Sequence, residues 1–404
     1  MDKQKDKTPL VRFPEFKEGW EHKQLNELLT VSKKKNKDLK YSKEEVLSVS
    51  GELGIVNQIE HLGRSYAGAS VHNYGVVEVG DIVYTKSPLK ANPYGIIKLN
   101  KYKAGIVSTL YAVYTVNQKA DGEFIEYYFS LDANLNRYLR PLVRKGAKND
   151  MKISNEYVLN DRIYAPKLEE QKRIAHFFNV IDKKLNQLQK KLNGLEEYKK
   201  GTMQQIFKQQ LRFKDEKGQN FPDWKEKKLD KVCKVYSGGT PTSSNKSYYK
   251  GHIPFIGSGN ISDSEVFQFI TQEALDSSSS KMVEVGDLLY ALYGGTSGEV
   301  SISKIRGAIN QAVLCIKTTE NKQFLYQHLK FNKERIITTF LQGGQGNLSA
   351  TIIKNLKVKF PSEKEQIKIV TFFSKIDNKI NVVNGQIETI KTYKKALLQQ
   401  MFCN

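Results

Sequence analysis

Residues 169–185 read EEQKRIAHFFNVIDKKL, and residues 364–380 read KEQIKIVTFFSKIDNKI. The match extends without a gap from Pro166–Phe207 onto Pro361–Phe402, 195 positions later, and 16 of the 42 aligned positions are identical. An internal repeat of this length indicates that one structural plan occurs twice in the chain. Because 404 residues exceed what one hydrophobic core usually holds, the sequence predicts two globular domains.

Each copy of the repeat carries an apolar stripe whose spacing alternates between four and three residues. The stripe consists of Ile174, Phe178, Ile181, Leu185, Leu188, Leu192 and Leu195 in the first copy, and of Ile369, Phe373, Ile376, Ile380, Val383, Ile387 and Ile390 in the second. This spacing is the heptad pattern of a coiled coil. Since Pro166 and Pro361 bound the helix starts, the sequence predicts two long helices, the first ending near Phe207, that pair as an antiparallel coiled coil. The alternative is that each stripe packs on its own globular domain.

The region ahead of each helix shares landmarks with the other copy but little else. VEVGD occurs at 77–81 and 283–287, and the strand-like runs GIVSTLYAVYTV and GAINQAVLCIKT follow at 105–116 and 307–318. Short β-type runs separated by Gly, Ser, Asn and Pro clusters predict α/β-mixed, β-rich domains with long exposed loops. The predicted fold class is therefore α+β, a pseudo-two-fold tandem repeat in which two such domains alternate with the two long helices.

These landmarks also set the predicted domain bounds. We predict an N-terminal tail at 1–11, a first domain at 12–165, a central helical spacer at 166–213, a linker with the second domain at 214–360 and a C-terminal helical spacer at 361–404. The linker itself, KDEKGQN at 214–220, is polar and contains one glycine, which is typical of a domain boundary.

The composition indicates a polyanionic partner. Lys and Arg number 64 against 43 Asp and Glu, a formal net charge of +21. This excess favours nucleic acid over a membrane surface, because no basic helix carries an obvious lipid-facing stripe. No segment approaches the ~18 consecutive apolar residues of a membrane span, and no apolar signal segment follows the N-terminus. With only Cys233, Cys315 and Cys403, far apart in the chain, we expect a cytoplasmic protein in a reducing compartment.

No catalytic constellation is visible in the sequence. FIGSG at 255–259 is similar to the glycine loop of S-adenosylmethionine-dependent methyltransferases, but a polar loop follows it instead of a helix. Asn-Pro-Tyr at 92–94 lacks the second proline of the NPPY motif of those enzymes. The six histidines show no metal-ligand spacing. The sequence therefore predicts a recognition protein with no catalytic residues, no metal site and no cofactor of its own.

The helical repeat resembles that of one known family, the specificity subunits of type I restriction-modification enzymes. Their helical regions carry Pro-x-x-Glu-x-Gln-x-x-Ile followed by Phe-Phe-x-x-Ile-Asp. The matching residues are Pro166, Glu170, Gln171, Ile174, Phe177, Phe178, Ile181 and Asp182, then Pro361, Glu365, Gln366, Ile369, Phe372, Phe373, Ile376 and Asp377, with each glutamate one position late. The resemblance covers residues 12–402. The first copy departs from it by having GIVST where the second has GAINQ.

The resemblance implies two target recognition domains that bind double-stranded DNA, together with two methylation subunits and two restriction subunits as partners. It also implies that S-adenosylmethionine, ATP and magnesium belong to those partner subunits. Because the two domains share a framework but differ in their loops, we predict a DNA-recognition subunit for an asymmetric, bipartite site, which directs adenine methylation and restriction by its partners. Two other classes stay open: a protein-interaction scaffold with paired helices, and a self-sufficient DNA methyltransferase.

Candidate DNA-binding residues lie in loops that combine Lys, Ser, Thr or Tyr after strand-like runs, and in the basic run at 33–35, which we interpret as a phosphate contact. They are Lys33, Lys34, Lys35, Arg64, Thr85, Lys86, Ser87, Lys90, Lys148, Thr240, Ser243, Lys246, Lys281, Tyr293, Thr296 and Ser297. For each single lysine the alternative is an ordinary solvated surface. The residues predicted for the helical spacer and the partner interface are Gln171, Ile174, Phe178, Ile181, Asp182, Leu185, Gln366, Ile369, Phe373, Ile376, Asp377 and Ile380.

Overall fold

The computed structural model describes residues 7–145, 151–341 and 347–403. The chain forms two compact units. The first unit comprises Met1–Lys190 together with Asn384–Asn404, and the second comprises Lys191–Val383. The end of the chain therefore belongs to the same unit as its beginning.

The strands, in chain order, are β1 (Glu21–Gln24), β2 (Leu29–Val31), β3 (Leu47–Ser50), β4 (Gly54–Asn57), β5 (Gly75–Val77), β6 (Ile82–Thr85), β7 (Ile96–Leu99), β8 (Gly105–Val107), β9 (Tyr111–Val116), β10 (Arg144–Lys145), β11 (Met151–Lys152), β12 (Arg162–Ala165), β13 (Lys225–Lys228), β14 (Cys233–Ser237), β15 (Ile253–Ile256), β16 (Phe269–Ile270), β17 (Lys281–Val283), β18 (Leu288–Ala291), β19 (Val300–Ile302), β20 (Gly307–Ile309), β21 (Val313–Thr318) and β22 (Lys357–Phe360). The helices are α1 (Leu25–Leu28), α2 (Gln58–Leu62), α3 (Gly122–Ser130), α4 (Asp132–Leu139), α5 (Leu168–Phe207), α6 (Leu229–Val232), α7 (Gln272–Asp276), α8 (Lys322–Phe331), α9 (Lys333–Leu341), α10 (Ala350–Asn355) and α11 (Glu363–Met401).

A four-stranded antiparallel sheet forms the centre of each unit. Its strand order is β2-β9-β6-β7 in the first unit and β14-β21-β18-β19 in the second. The registers also correspond, since Ile82 pairs with Tyr114 and Leu288 pairs with Ile316. The strands β6 and β18 are buried along their whole length, which explains why IVYT and LLYA lack the polar alternation of a half-exposed strand.

Smaller sheets flank each central sheet. The first unit adds the pairs β1–β12, β3–β4, β5–β8 and β10–β11, and the second adds β13–β22 and the sheet β16-β15-β20-β17. Glycine begins both β8 and β20 because the backbone of a neighbour lies close there. A Cβ on Gly105 would lie 2.5 Å from the carbonyl oxygen of Glu45, and one on Gly307 would lie 2.7 Å from that of Pro254.

The two VEVGD motifs form the same tight turn ahead of the central strands β6 and β18. Their glycines, Gly80 and Gly286, have φ angles of +93° and +90°, which side chains disfavour. In both turns the aspartate side chain accepts a hydrogen bond of 2.9 Å from the amide of the motif's glutamate. The repeated motif therefore fixes the entry of each central strand.

The first unit contains the start of α5 and the end of α11, and these segments run antiparallel. The ring centroids of Phe178 and Phe402 lie 6.2 Å apart. Four residues further along α5, the carboxylate of Asp182 binds the ammonium of Lys394. The residue numbers increase along α5, whereas those of the contacted residues at the end of α11 decrease. The two helix segments therefore run in opposite directions.

The second unit contains the same arrangement with the roles of the helices exchanged. The ring centroids of Phe373 and Phe207 lie 6.4 Å apart, and the carboxylate of Asp377 binds the ammonium of Lys199. Every residue of the first set therefore has its counterpart 195 positions away in the second. The prediction of long, antiparallel paired helices in a pseudo-two-fold repeat is confirmed, as is the end of the first helix at Phe207.

The start of each apolar stripe also packs on its own globular domain. Ile174 and Phe178 belong to the first core, and the rings of Phe178 and Tyr127 of α3 lie 5.2 Å apart. Ile369 and Phe373 belong to the second core in the same way. The pairing of the helices and the alternative of packing on the parent domain are therefore both correct, because Phe178 and Phe373 make both kinds of contact.

A buried carboxylate in the first turn of α5 binds residues from the start of the chain. The side chain of Glu170, 3% exposed, accepts two hydrogen bonds of 2.7 Å from Arg12 and one of 3.2 Å from the indole of Trp20. Hydrogen bonding to this carboxylate raises the pKa of Arg12 above its ordinary value. The negative charge also lies at the positive end of the helix, where it is stabilised. We refer to this group as the carboxylate clamp.

The second unit contains a matching carboxylate clamp at the start of α11. The fully buried side chain of Glu365 accepts hydrogen bonds from Arg212 at 3.2 and 2.9 Å and from the indole of Trp224 at 3.1 Å. The same hydrogen bonds raise the pKa of Arg212. Each long helix is thus attached at its N-terminus to the segment that precedes the first strand of its globular domain.

A glutamine beside each clamp binds the loop ahead of the neighbouring helix α3 or α8. The side chain of Gln171 accepts from the amide of Asp121 at 3.0 Å and donates to the carbonyl of Pro166 at 2.9 Å. Gln366 makes the equivalent bonds to Asn321 and Pro361, at 3.1 and 3.0 Å.

Six of the residues predicted for the helical spacer and the partner interface have no free surface. Gln171, Ile174, Phe178, Gln366, Ile369 and Phe373 are at most 1% exposed. These six side chains pack in the protein's own cores or hydrogen-bond within the chain. They fit the predicted role in the helical spacer, but they cannot contact a partner subunit.

We expect Glu170→Gln to lower the free energy of unfolding by about 3 kcal/mol, because it leaves a guanidinium group unpaired in a largely buried position. Glu365→Gln should act similarly on the second unit. Chemical denaturation checks both values, with Glu169→Gln, at an exposed neighbouring position, as the control. Equal stability of Glu170→Gln and Glu169→Gln would show that the carboxylate clamp is not structural.

The buried imidazole of His328 makes the second unit sensitive to acid. Burial lowers its pKa to about 4, from 6.5, and the ring packs against Phe207. As the pH falls below 6.5, the unfolded chain binds a proton that the folded chain resists, so stability is complete above pH 6.5 and declines towards pH 4. We expect a loss of about 2 kcal/mol between pH 7 and pH 5 from this group. Urea unfolding of the protein and of His328→Phe checks this, and an equal pH dependence in both would contradict it.

Candidate nucleic-acid interface

Glycine-rich loops of the second unit meet at the end of β20. A Cβ on Gly238 would lie 1.7 Å from the carbonyl oxygen of Ile309, so only glycine allows the loop after β14 to reach this strand. The hydroxyl of Ser280 donates to the carbonyl of Gly239 at 2.6 Å. The side chains of Thr240 and Gln311 then bind each other.

A second glycine loop, LYGGTSGE at 292–299, reaches the same place. The amide of Leu292 donates to the carbonyl of Ala312 at 2.8 Å. A Cβ on Gly294 would lie 3.6 Å from the hydroxyl of Ser258, and the amide of Asn310 donates to the carbonyl of Ile256 at 3.2 Å. The segments 238–247, 257–260, 292–299 and 310–312 therefore form one polar surface, which we name the second loop surface.

The first unit carries its own loop surface at the equivalent strand ends, formed by the segments 33–35, 86–90 and 108–110. The amide of Val76 donates to the carbonyl of Lys34, and the amide of Lys86 donates to that of Leu110, both at 3.1 Å. The second of these bonds corresponds to the bond between Leu292 and Ala312 in the second unit. The two loop surfaces thus share a backbone framework.

The structure exposes most of the predicted DNA-binding side chains. Those with exposed side chains are Lys33, Lys34, Lys35, Arg64, Lys90, Thr240, Ser243, Lys246 and Lys281, and those that are half-buried are Lys86, Ser87, Tyr293, Thr296 and Ser297. Lys281 pairs with Ile309 in the sheet, which brings it next to Asn310. Arg64 lies outside the two loop surfaces and stacks on Tyr66, 4.6 Å from its ring centroid.

Three of the predicted contacts are limited by the protein itself. Thr85 is only 4% exposed inside β6, so this prediction is wrong, because a buried strand residue cannot face DNA. The ammonium of Lys86 donates to the side chain of Asn155 at 2.7 Å, and the hydroxyl of Ser297 donates to the carbonyl of Leu292 at 3.0 Å. Both side chains therefore stabilise their loops. Lys148 lies outside the described residues.

The sequence reasoning missed three polar residues of the second loop surface, namely Ser258, Asn310 and Gln311. The signal was available, because GAINQ and GIVST occupy equivalent positions but differ at every residue after the glycine. The side-chain oxygen of Asn310 accepts from the amide of Ala312 at 2.9 Å. Because Thr240 also holds the amide group of Gln311, both side-chain amides have fixed positions.

The chemistry of the two surfaces differs. The first presents consecutive exposed lysines at 33–35, suited to phosphate groups, together with the hydroxyls of Ser108 and Thr109. The second presents amides, hydroxyls and glycine backbone. Tyr293 adds a phenol that can donate a hydrogen bond, and burial raises its pKa.

Across 7–145, 151–341 and 347–403, no three His, Cys, Asp or Glu side chains come together as metal ligands. No helix in that part of the chain is long and apolar enough to cross a membrane.

A family model described as the type I restriction modification DNA specificity domain matches the chain twice, at residues 17–197 and 222–392. These two matches follow the internal repeat and cover most of the chain. Each match includes one globular domain and most of the long helix that follows it.

Two proteins of Methanocaldococcus jannaschii are similar in sequence. One, a predicted specificity subunit of the type I restriction enzyme MjaX, is 25% identical over 97% of this chain and 94% of its own length. The specificity subunit of the type I restriction enzyme MjaVIII is 24% identical over 59% of this chain and 60% of its own length.

Solved structures share the fold. The S subunit of a type I restriction-modification system from M. genitalium superposes with a TM-score of 0.61 at 14% identity, covering 98% of this chain and 100% of the other. A chain from a type I restriction-modification system, solved in work on complex assembly and conformational transition, gives a TM-score of 0.57 at 17% identity, with 98% and 99% covered. With both repeats matched by one family model, this chain belongs to the family of type I restriction modification DNA specificity domains.

Proposed function

We propose that this chain is the DNA-recognition subunit of a type I restriction-modification complex and recognises an asymmetric, bipartite site. The observation that carries this proposal is the pair of loop surfaces, which share a backbone framework but present different side chains. Thr109 of the first occupies the position of Gln311 in the second. Two readers of different chemistry in one chain suit a target whose two halves differ in sequence.

Each surface offers groups suited to one part of DNA. Exposed Lys33, Lys34 and Lys35 suit backbone phosphates, which position a protein without reading sequence. The amides of Asn310 and Gln311 keep N–H donors for acceptor atoms on base edges in the major groove, where amide side chains discriminate between base pairs.

The chain itself performs no catalysis in this proposal. Two methylation subunits bind S-adenosylmethionine and methylate adenine, and two restriction subunits use ATP and magnesium to cleave DNA in the cytoplasm. Support for this division of labour comes from the sequence, which nominates no nucleophile, base and orienter. The recognition subunit then selects the site at which its partners act.

Electrophoretic retardation on genomic fragments, with and without added methylation subunits, tests the function. We expect sequence-selective retention and a single bipartite methylation motif in the methylome, lost when the gene is deleted. Retention without selectivity in both conditions would favour a protein-interaction scaffold. Methyl transfer by the purified chain alone would make it a self-sufficient methyltransferase.

We expect Gln311→Ala to reduce the discrimination between base pairs at one position of one half-site. The loss should be about 1–3 kcal/mol, which is typical of an amide side chain bonded to a base edge. Thr109→Ala should affect the other half-site alone. Binding-site selection from random duplexes measures both. Gln323→Ala is the control, because Gln323 is exposed on α8, which follows the opposite end of β21. An unchanged recognition motif with Gln311→Ala would show that Gln311 does not read a base.

A further inference from the structure

A deep groove lies in the first unit, away from its loop surface. It runs between the tip of the β3–β4 hairpin, the end of β7, helix α3 and the face of α5 from Asn179 to Lys190, and Lys394 of α11 closes one side. That stretch of α5 is about 16 Å long. The cavity volume is about 1080 Å³, at the upper end of small-molecule pockets at roughly 300–1000 Å³. An elongated cavity of this size suits a segment of a polymer chain. We name it the lysine groove.

The lysine groove has a fixed polar floor. The hydroxyl of Tyr127 donates to the carboxylate of Asp182 at 2.7 Å, and the side-chain oxygen of Asn179 lies 2.9 Å from the same hydroxyl. Lys394 binds the same Asp182, and Lys101 pairs with Glu126 of α3. These carboxylates and ammonium groups therefore neutralise one another within the protein.

Three other lysines of the groove have no such partner. The ammonium groups of Lys98, Lys183 and Lys190 form no close ion pair or side-chain hydrogen bond with the residues that the structure describes, and Glu126 attracts the charge of Lys98 only from a longer distance. Burial lowers the pKa of Lys98, which lies on β7 at the bottom of the groove, whereas Lys183 and Lys190 are exposed along α5. Carboxylates of a bound partner could form ion pairs with these three lysines.

The second unit shows that the shared fold does not require these lysines. Sheet register matches Lys98 to Ser301, because Val83 and Leu289 of the central strands pair with them. The helical repeat matches Lys183 to Asn378. These two lysines are therefore specific to the first unit, and the shared framework does not require them.

The groove also offers an apolar contact. Leu53, at the tip of the β3–β4 hairpin, is 61% exposed and lines the groove. Leu53 thus provides one apolar contact beside the charged groups of the groove. An occupant would therefore carry carboxylates together with at least one apolar side chain.

Single-stranded nucleic acid fits the groove less well, because it binds by stacking bases on free aromatic faces. The ammonium groups of Lys101 and Lys394 lie 5.3 and 5.1 Å from the ring centroid of Tyr127. Lys103 lies 4.9 Å from that of Tyr102. The protein's own lysines thus already cover the aromatic faces that line the groove.

We propose that the lysine groove binds an acidic segment of a methylation subunit, whose carboxylates pair with Lys98, Lys183 and Lys190 while an apolar side chain rests on Leu53. This inference rests on the proposed function. Because the second unit lacks the matching lysines, the contact is made by one of the two methylation subunits and strengthens one binding step.

The experiment uses the full chain and the purified methylation subunit. The variant Lys98→Ser with Lys183→Asn places in the groove the residues found at the matched positions of the second unit. The control, Lys172→Ser with Lys184→Asn, removes the same charge from exposed positions of α5 outside the groove. Calorimetry and native mass spectrometry measure affinity and stoichiometry. We expect the groove variant to weaken one binding step at least tenfold, and the control to leave both steps unchanged.

Carbodiimide coupling gives a second readout, because it joins a carboxylate to a lysine only where they form an ion pair. We expect links from Asp or Glu of the methylation subunit to Lys98 or Lys183. Equal binding by the groove variant and the control, or links to Lys172 and Lys184 alone, would overturn the proposal. Retention of an oligothymidylate by the protein, lost in the groove variant, would overturn it in favour of single-stranded nucleic acid. A wild-type chain that neither binds methylation subunits nor selects DNA would instead refute the proposed function.

Discussion

The carboxylate clamp at the start of each long helix fixes how the helix leaves its globular domain. Glu170 joins the guanidinium of Arg12, the buried indole of Trp20 and the positive end of α5 in one hydrogen-bonded group. A carboxylate without such partners could not stay ionised in a buried position. The direction of the helix is thus set by a chemical requirement, and the pairing of the two helices within each unit follows from that direction.

The exchange of helix ends between the two halves of the sequence follows from the same geometry. Phe402 completes the core that begins with Trp20, and Phe207 completes the core that contains Trp224. The hydrophobic core of each globular domain is therefore incomplete without a residue from the other half of the sequence. Because the framework is held by these repeated contacts, the loops at the far end of each central sheet are free to differ, and they differ in chemistry as well as in length.

The sequence predicted the framework better than the surfaces. The stripe from Ile174 to Leu195 has a strict heptad period, and VEVGD needs glycine at positive φ. The sequence pattern was therefore enough to predict the long helices and these turns. The clamp was not, because Arg12 and Glu170 are 158 positions apart and ordinary surface residues have the same composition. Thr85 was misplaced since a strand end and a loop start look alike in sequence. Asn310 and Gln311 became visible only when the fold brought Gly238 and Ser258 beside them.

The composition of the first unit has a consequence for the order of events during synthesis. The second unit is continuous from Lys191 to Val383, but the first needs Asn384–Asn404 to fill its core. At a translation rate of about 5–20 residues per second, roughly 200 residues separate Lys190 from the segment that completes this unit, a delay on the order of 10–40 s. The core of the N-terminal domain, although begun first, is therefore completed only after the second unit has been made. Until the end of α11 has left the ribosome, the rings of Trp20 and Phe124 lack their contacts with Phe402, and apolar surface that is exposed in this way promotes aggregation and calls for chaperones.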